Sequence, residues 1–178
     1  MSMMKSTVLL VDDDPNLTAA LRRRLHKEGY HVLEAHSGKQ ALALLSEESV
    51  DVLVTDEKMP GMAGSELVAL VARRQPDVIR MILSGQATLD AAIRAINGGQ
   101  IYRFFLKPCD ETDLLVTIRQ ALAQKELARE NEGLRREITV KTTLLQQMEQ
   151  ENPGITEVHE DDEGALVIDA RETVPVSD

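Results

Sequence analysis

Five short apolar runs recur along the first two thirds of the chain: Thr7–Val11, His31–Ala35, Val50–Thr55, Val78–Leu83 and Ile101–Leu106. Each is about five residues long and most are rich in Val, Ile and Leu, the composition of strands buried on both faces. Between them lie amphipathic stretches with a helical repeat. Leu17, Leu21 and Leu25 are spaced four apart, and Gly29 then stops the helix. A second helix is predicted over Gly38–Ser46 and a third over Ser65–Arg74, ended by Pro76. A fourth covers Thr88–Asn97 before Gly98-Gly99, and a fifth starts near Asp110–Asp113.

Strand followed by helix, five times over, predicts a parallel sheet, because each parallel crossover needs a helix to carry the chain back. The expected fold is a doubly wound, five-stranded α/β domain over residues 1–124, with flavodoxin-like strand order 2-1-3-4-5. The fifth helix runs past the end of that domain. From Leu114 to Gln150 there is no Pro and a single Gly, Gly133. Positions 127, 131, 134, 138, 141, 145 and 148 step by four and three and read Leu, Asn, Leu, Ile, Lys, Leu, Met. Residues 125–150 are therefore expected to be a helical extension with a coiled-coil seam and a homodimeric assembly. Asn131 at an a position favours parallel pairs, and Glu130 at g can meet Arg135 at e. A solvated single helix, or one folded back on its own domain, is the competing reading of the same stretch.

Composition sharpens the picture at the C-terminal end. The formal net charge of the 178 residues is −10. Nine acids against Arg171 alone place −8 of it in residues 151–178, leaving −2 for the rest. Within this acidic tail, Ile155–Val158 and Ala165–Ile168 flank Glu160-Asp-Asp-Glu-Gly164, a pattern that suits a small β-hairpin. A disordered acidic tail fits the composition equally well. No basic stripe is present to release counterions from phosphates, so direct nucleic-acid binding is not expected. No stretch is apolar enough for a membrane span, and the N-terminus lacks the features of a signal peptide, so a cytoplasmic protein is expected. Cys109 is the one cysteine and cannot form an internal disulfide.

Ligands of doubly wound sheets sit beyond the C-terminal ends of the strands. Here the first strand ends in Asp12-Asp13-Asp14, the third in Asp56, the fourth in Ser84 and the fifth in Lys107-Pro108. With strands one and three adjacent, Asp12, Asp13 and Asp56 converge. Their mutual repulsion calls for a cation, and hard oxygen donors suit Mg²⁺. Lys107 adds a compact positive charge and Ser84 a hydroxyl. A carboxylate nucleophile, a metal site and a cation together suit a phosphoryl group in transfer.

Four blocks, VLLVDDDP, VTDEKMPGM, MILSG and FFLKP, occur in that order. In them the chain resembles the receiver domain of two-component response regulators. The resemblance implies that Asp56 is the phosphoacceptor and that Asp12 and Asp13 form the acidic pair at Mg²⁺. Asp13, Asp56 and the Lys58 backbone carbonyl would be direct metal ligands. Lys107 would bind the phosphoryl group, across a bond to Pro108 that is cis in many members. Ser84 is similar to the switch hydroxyl, and Phe104 to the aromatic residue that changes rotamer on activation. Lys58, two residues after the acceptor, lies where the family tunes dephosphorylation.

The resemblance implies a sensor histidine kinase or phosphotransfer protein as phosphodonor. Phosphorylation of Asp56 would draw Ser84 inward and reshape the face of the fourth helix, fifth strand and fifth helix. The segment after residue 124 holds no basic recognition helix or P-loop, which favours output through a downstream protein partner or dimerisation. The stretch YRFFLKPCDETDLL is similar to receivers attached to hydrolase-type or hydrogenase-regulator outputs. The alternative is a component of a transcription regulator that acts without its own DNA-binding module. A haloacid-dehalogenase-type phosphatase also begins with a strand and an Asp, but Asn16 breaks its motif. The expected protein is not an enzyme beyond accepting and losing its own phosphoryl group.

Overall fold

The computed structural model describes residues 5–85, 101–151 and 153, together with a strand pair at 159–160 and 166–167. The chain divides into two compact units, Met1–Glu126 and Leu127–Asp178.

The first unit is a five-stranded parallel sheet in the order β2-β1-β3-β4-β5. The strands are β1 (Thr7–Val11), β2 (His31–Ala35), β3 (Val52–Asp56), β4 (Ile79–Ser84) and β5 (Arg103–Leu106). Between them lie α1 (Pro15–Lys27), α2 (Gly38–Glu47) and α3 (Gly64–Arg74), and α4 (Glu111–Glu151) follows β5. The helix expected over Thr88–Asn97 falls outside the described residues.

Alternate strand residues point to opposite faces, and the core splits accordingly. Leu9, Val11, Leu53 and Ile82 face Ala41 and Leu45 of α2 and Leu67, Val68 and Val71 of α3. Val8, Leu10, Val52, Val54 and Met81 face Leu21 and Leu25 of α1 and Leu114, Ile118 and Ala121 of α4. The three inner strands are buried almost throughout, whereas β2 and β5 keep exposed positions. Both are edge strands with one neighbour each, so burial on both faces holds for the middle of the sheet only.

Helix boundaries follow local chemistry. Asp14 caps α1 by accepting from Asn16 N–H, and Pro15 fills the first helical position, where no N–H is needed. Gly29 ends that helix at φ +91°, a left-handed conformation costly for other residues. Ser37 caps α2 through Gln40 N–H. The part of α4 within the first unit is tied to the base of the sheet at its far end. Lys125 Nζ lies 3.2 Å from Asp51 Oδ1, and Asp51 Oδ2 accepts from Thr7 N–H at 3.0 Å.

The second unit contains the remainder of α4 and an antiparallel pair, β6 (His159–Glu160) and β7 (Leu166–Val167). On this stretch of α4, Leu127, Leu134, Ile138, Leu145 and Met148 are exposed, and so are Val140 and Leu144. Among the described residues no helix is long and apolar enough to cross a membrane.

Candidate functional site

The site is assembled by strand ends. β1 and β3 are adjacent in the sheet, and the chain leaves them toward opposite faces, which makes their junction the switch point of the fold. Asp12 directly follows β1, and Asp56 is the last residue of β3. One carboxylate oxygen each from Asp12, Asp13 and Asp56 lies within 4.8 Å of the others. Asp12 and Asp56 are buried, at 5% and 6% exposure, whereas Asp13 faces solvent.

Lys107, one residue past β5, bridges the two buried acids. Its Nζ lies 2.7 Å from Asp12 Oδ2 and 2.6 Å from Asp56 Oδ1. The Lys107–Pro108 peptide bond is cis. The remaining carboxylate oxygens are also engaged. Asp12 Oδ1 accepts from Asp14 N–H at 2.9 Å, and Asp56 Oδ2 accepts from Lys58 N–H at 3.0 Å. His36 Nδ1 contacts the Asp12 carbonyl at 3.1 Å, which requires the Nδ1-protonated tautomer.

Burial disfavours the Lys107 ammonium, but hydrogen bonds and charge attraction from Asp12 and Asp56 outweigh it and hold the lysine pKa above its ordinary value. A raised lysine pKa stabilises the fold fully below the unfolded value of about 10.4. That contribution is lost only as pH rises through the folded value. Lys107 is therefore a permanent cation across the neutral range.

One lysine faces three carboxylates, so a negative excess remains. All three acids offer hard oxygen donors, and Asp13 lies on the open side of the cluster. The donor set fits Mg²⁺, which prefers few carboxylates and keeps several waters. Asp12, Asp13 and Asp56 are the carboxylates that would hold it.

The other expected residues lie close along the sheet. Ser84 is buried at the end of β4, one residue past Leu83, which pairs with Asp56 in the ladder. Lys107 N–H donates to the Ser84 carbonyl at 2.8 Å. Phe104 pairs with Ile82 and is partly buried against the core on the α2–α3 side. Phe105, its neighbour, points to the opposite core.

Several participants escaped the sequence reading. A Cβ on Gly64 would lie 2.1 Å from the Asp56 carbonyl oxygen, so α3 begins in direct backbone contact with Asp56. Glu57 accepts from Ser65 N–H and Ser65 Oγ–H, each at 2.9 Å. The only sequence signal for either was a glycine opening a helix eight residues after Asp56.

Cys109 lines a cavity of about 170 Å³ with Leu17, Leu21, Leu83, Pro108 and Leu114. Burial first, then the charges of Asp113 and Asp110, push its thiol pKa up. Less thiolate means slower attack, so alkylation by iodoacetamide at pH 8 should run roughly threefold or more slower than for a free cysteine. Recovery of the full rate in denaturant, followed by mass spectrometry, checks this.

Fold and site together define a doubly wound α/β domain with a carboxylate–lysine centre at its switch point. The family model for the response regulator receiver domain matches residues 8–119. The hydrogenase transcriptional regulatory protein HoxA of Cupriavidus necator is 36% identical over 147 residues, covering 83% of this chain and 30% of its own length. The transcriptional regulatory protein GlrR of Escherichia coli is 35% identical over 150 residues, covering 84% of this chain and 34% of its own. Among solved structures, the signal receiver domain of an HD domain-containing protein from Pseudomonas fluorescens is 34% identical with a TM-score of 0.65. That match covers 68% of this chain and 98% of the other. The chain belongs to the response regulator receiver domain family of two-component systems. It spans about a third of the length of the curated relatives it matches. Receiver domains take phosphoryl groups from histidine kinases and generally bind Mg²⁺ at an acidic pocket.

Proposed function

We propose that this chain is a phosphorylation-activated switch whose acceptor is Asp56. The observation that carries the reading is the convergence of Asp12, Asp13 and Asp56 with Lys107 bridging the two buried acids. An Asp56 oxygen attacks the phosphorus of a phosphohistidine on a sensor kinase or phosphotransfer protein. The N–P bond breaks, and the imidazole keeps the electron pair and takes up a proton. Lys107 exchanges its contact with Asp56 for a phosphoryl oxygen, so the ammonium stays paired throughout. Lys58 N–H continues to orient the acceptor carboxyl. Bound Mg²⁺ would supply charge neutralisation for the incoming phosphoryl oxygens.

Transfer is stoichiometric, and the chain is not an enzyme with turnover on an external substrate. Ser84, at the end of β4, supplies the hydroxyl that follows the phosphoryl group, and Phe104 on β5 responds by changing rotamer. This is a shift between two populations, biased by a local charge change. Incubation with acetyl phosphate and Mg²⁺ should give one hydroxylamine-labile phosphoryl adduct, on Asp56, with none when Mg²⁺ is chelated. An adduct elsewhere would defeat the assignment.

The output is proposed to run through protein contacts in the cytoplasm, with α4 residues 127–148 forming a homodimeric coiled coil. Its support is the exposure of Leu127, Leu134, Ile138, Leu145 and Met148, five of the seven seam positions, on a helix exposed almost throughout this stretch. On a solvated single helix, Leu134→Glu with Leu145→Glu would be nearly neutral. In a coil it places like charges in the seam, and sedimentation should show monomer in place of dimer. A second reading, a component of a transcription regulator, is favoured by the names of HoxA and GlrR. Binding of a specific DNA fragment by the pure protein would displace the protein-contact reading.

A further inference from the structure

The start of α3 is built without a conventional cap. Its N-cap residue is Ala63, which has no side-chain oxygen to satisfy the first helical N–H groups. Glu66 reaches back to accept from Ala63 N–H at 3.2 Å. The next two donors are taken by Glu57. Its carbonyl accepts from Gly64 N–H at 3.1 Å. Its carboxylate accepts from both Ser65 N–H and Ser65 Oγ–H, one at each oxygen. Glu57 thus does from the far side of the loop what a capping residue does locally, and its charge sits at the positive end of the helix.

Glu57 is also the neighbour of the acceptor, and the peptide that leaves it carries Lys58 N–H, which holds Asp56 Oδ2 at 3.0 Å. Gly64 lies against the Asp56 carbonyl. The segment from Asp56 to Ser65 is therefore a closed loop whose two ends are locked together, with the acceptor inside the lock. We infer that Glu57 is a positioning residue: clamped by Ser65, it fixes the 57–58 peptide and through it the rotation of the Asp56 carboxylate. This rests on the reading of Asp56 as phosphoacceptor.

The test uses the full chain with two readouts, Mg²⁺ affinity by calorimetry without phosphodonor and the rate of Asp56 labelling by acetyl phosphate. Glu57→Ala should weaken Mg²⁺ binding and slow labelling by about tenfold each, as loss of an outer partner of a ligand does. Ser65→Ala, which leaves its backbone N–H in place, should cost roughly threefold. Because Ser65 acts only through Glu57, the double variant should be no worse than Glu57→Ala alone. Glu57→Gln keeps an acceptor for Ser65 N–H and should recover most of both properties. Should Glu57→Ala fail to fold, Ser65→Ala and Glu57→Gln still decide. Unchanged Mg²⁺ affinity and labelling in Glu57→Ala, additive effects in the double variant, or a Glu57→Gln protein as impaired as Glu57→Ala would each overturn the inference. A wild-type protein that binds Mg²⁺ but takes no label would instead overturn the functional reading.

Discussion

Asn in place of Asp56 is expected to reduce phosphoryl labelling to background while leaving the fold within about 1 kcal/mol of wild type, the usual range for a near-isosteric change. The side chain keeps its shape, but its one amide oxygen can accept from only one of the two donors, Lys107 or Lys58 N–H, that now hold separate carboxylate oxygens. The other loses its acceptor, at about 1 kcal/mol. What disappears is the anionic nucleophile. Stability has two opposing contributions. One carboxylate fewer relieves the repulsion with Asp12 and Asp13, and the lost charge weakens the pairing with Lys107. Lys107 keeps Asp12 as a charged partner, so the two largely cancel. Mass spectrometry after acetyl phosphate treatment and thermal melts with and without Mg²⁺ separate the effects. Labelling that persisted on Asp12 or Asp13 would mean that the acceptor had been misassigned.

Gly64→Ala should be among the most damaging single-methyl additions in the receiver domain. The added carbon meets the Asp56 carbonyl oxygen at 2.1 Å, and neither partner is a flexible side chain. Either α3 or the end of β3 must move. Overpacking against backbone stands at the upper end of its usual cost, about 3 kcal/mol, or a fall in melting temperature of about 10 °C for a domain this size. Labelling of Asp56 should fall as well, because the displaced carbonyl belongs to the proposed acceptor itself. Gly61→Ala is the control on the same loop. Gly61 has φ +84° but nothing within 4 Å of its Cβ direction, so only backbone strain of about 1 kcal/mol is expected. Equal losses in the two variants would show that loop conformation, not the close approach, is what matters.

The sheet was legible because its signal is local. β1 and β2 have the bounds that their apolar runs predict, and the strand order has the 2-1-3-4-5 form expected. β3 runs to Asp56 and β5 starts at Arg103 rather than Ile101. Hydropathy reports burial, and Ile101 is buried without joining the ladder. The acids and the lysine were legible because a doubly wound fold delivers strand ends to one edge. How they pair was not. Lys107 meets Asp12 across 95 positions, and Lys125 meets Asp51 across 74. Nothing in the residues near either lysine specifies a partner that far away. The lock between Glu57 and Ser65 was hidden for another reason. Glu57 looks like one more solvated acid until Ala63 is seen to leave the helix start without a cap.

The strand order also sets a timetable for a chain leaving the ribosome. The three acids lie at the ends of β1 and β3, but the lysine that bridges two of them comes with the residue after β5. Fifty-one positions separate Asp56 from Lys107, roughly 3–10 s of synthesis at ordinary rates. During that interval the chain carries the acids without the charge that pairs two of them. The charge balance of this edge of the sheet is thus completed only by the last of its strands to be made.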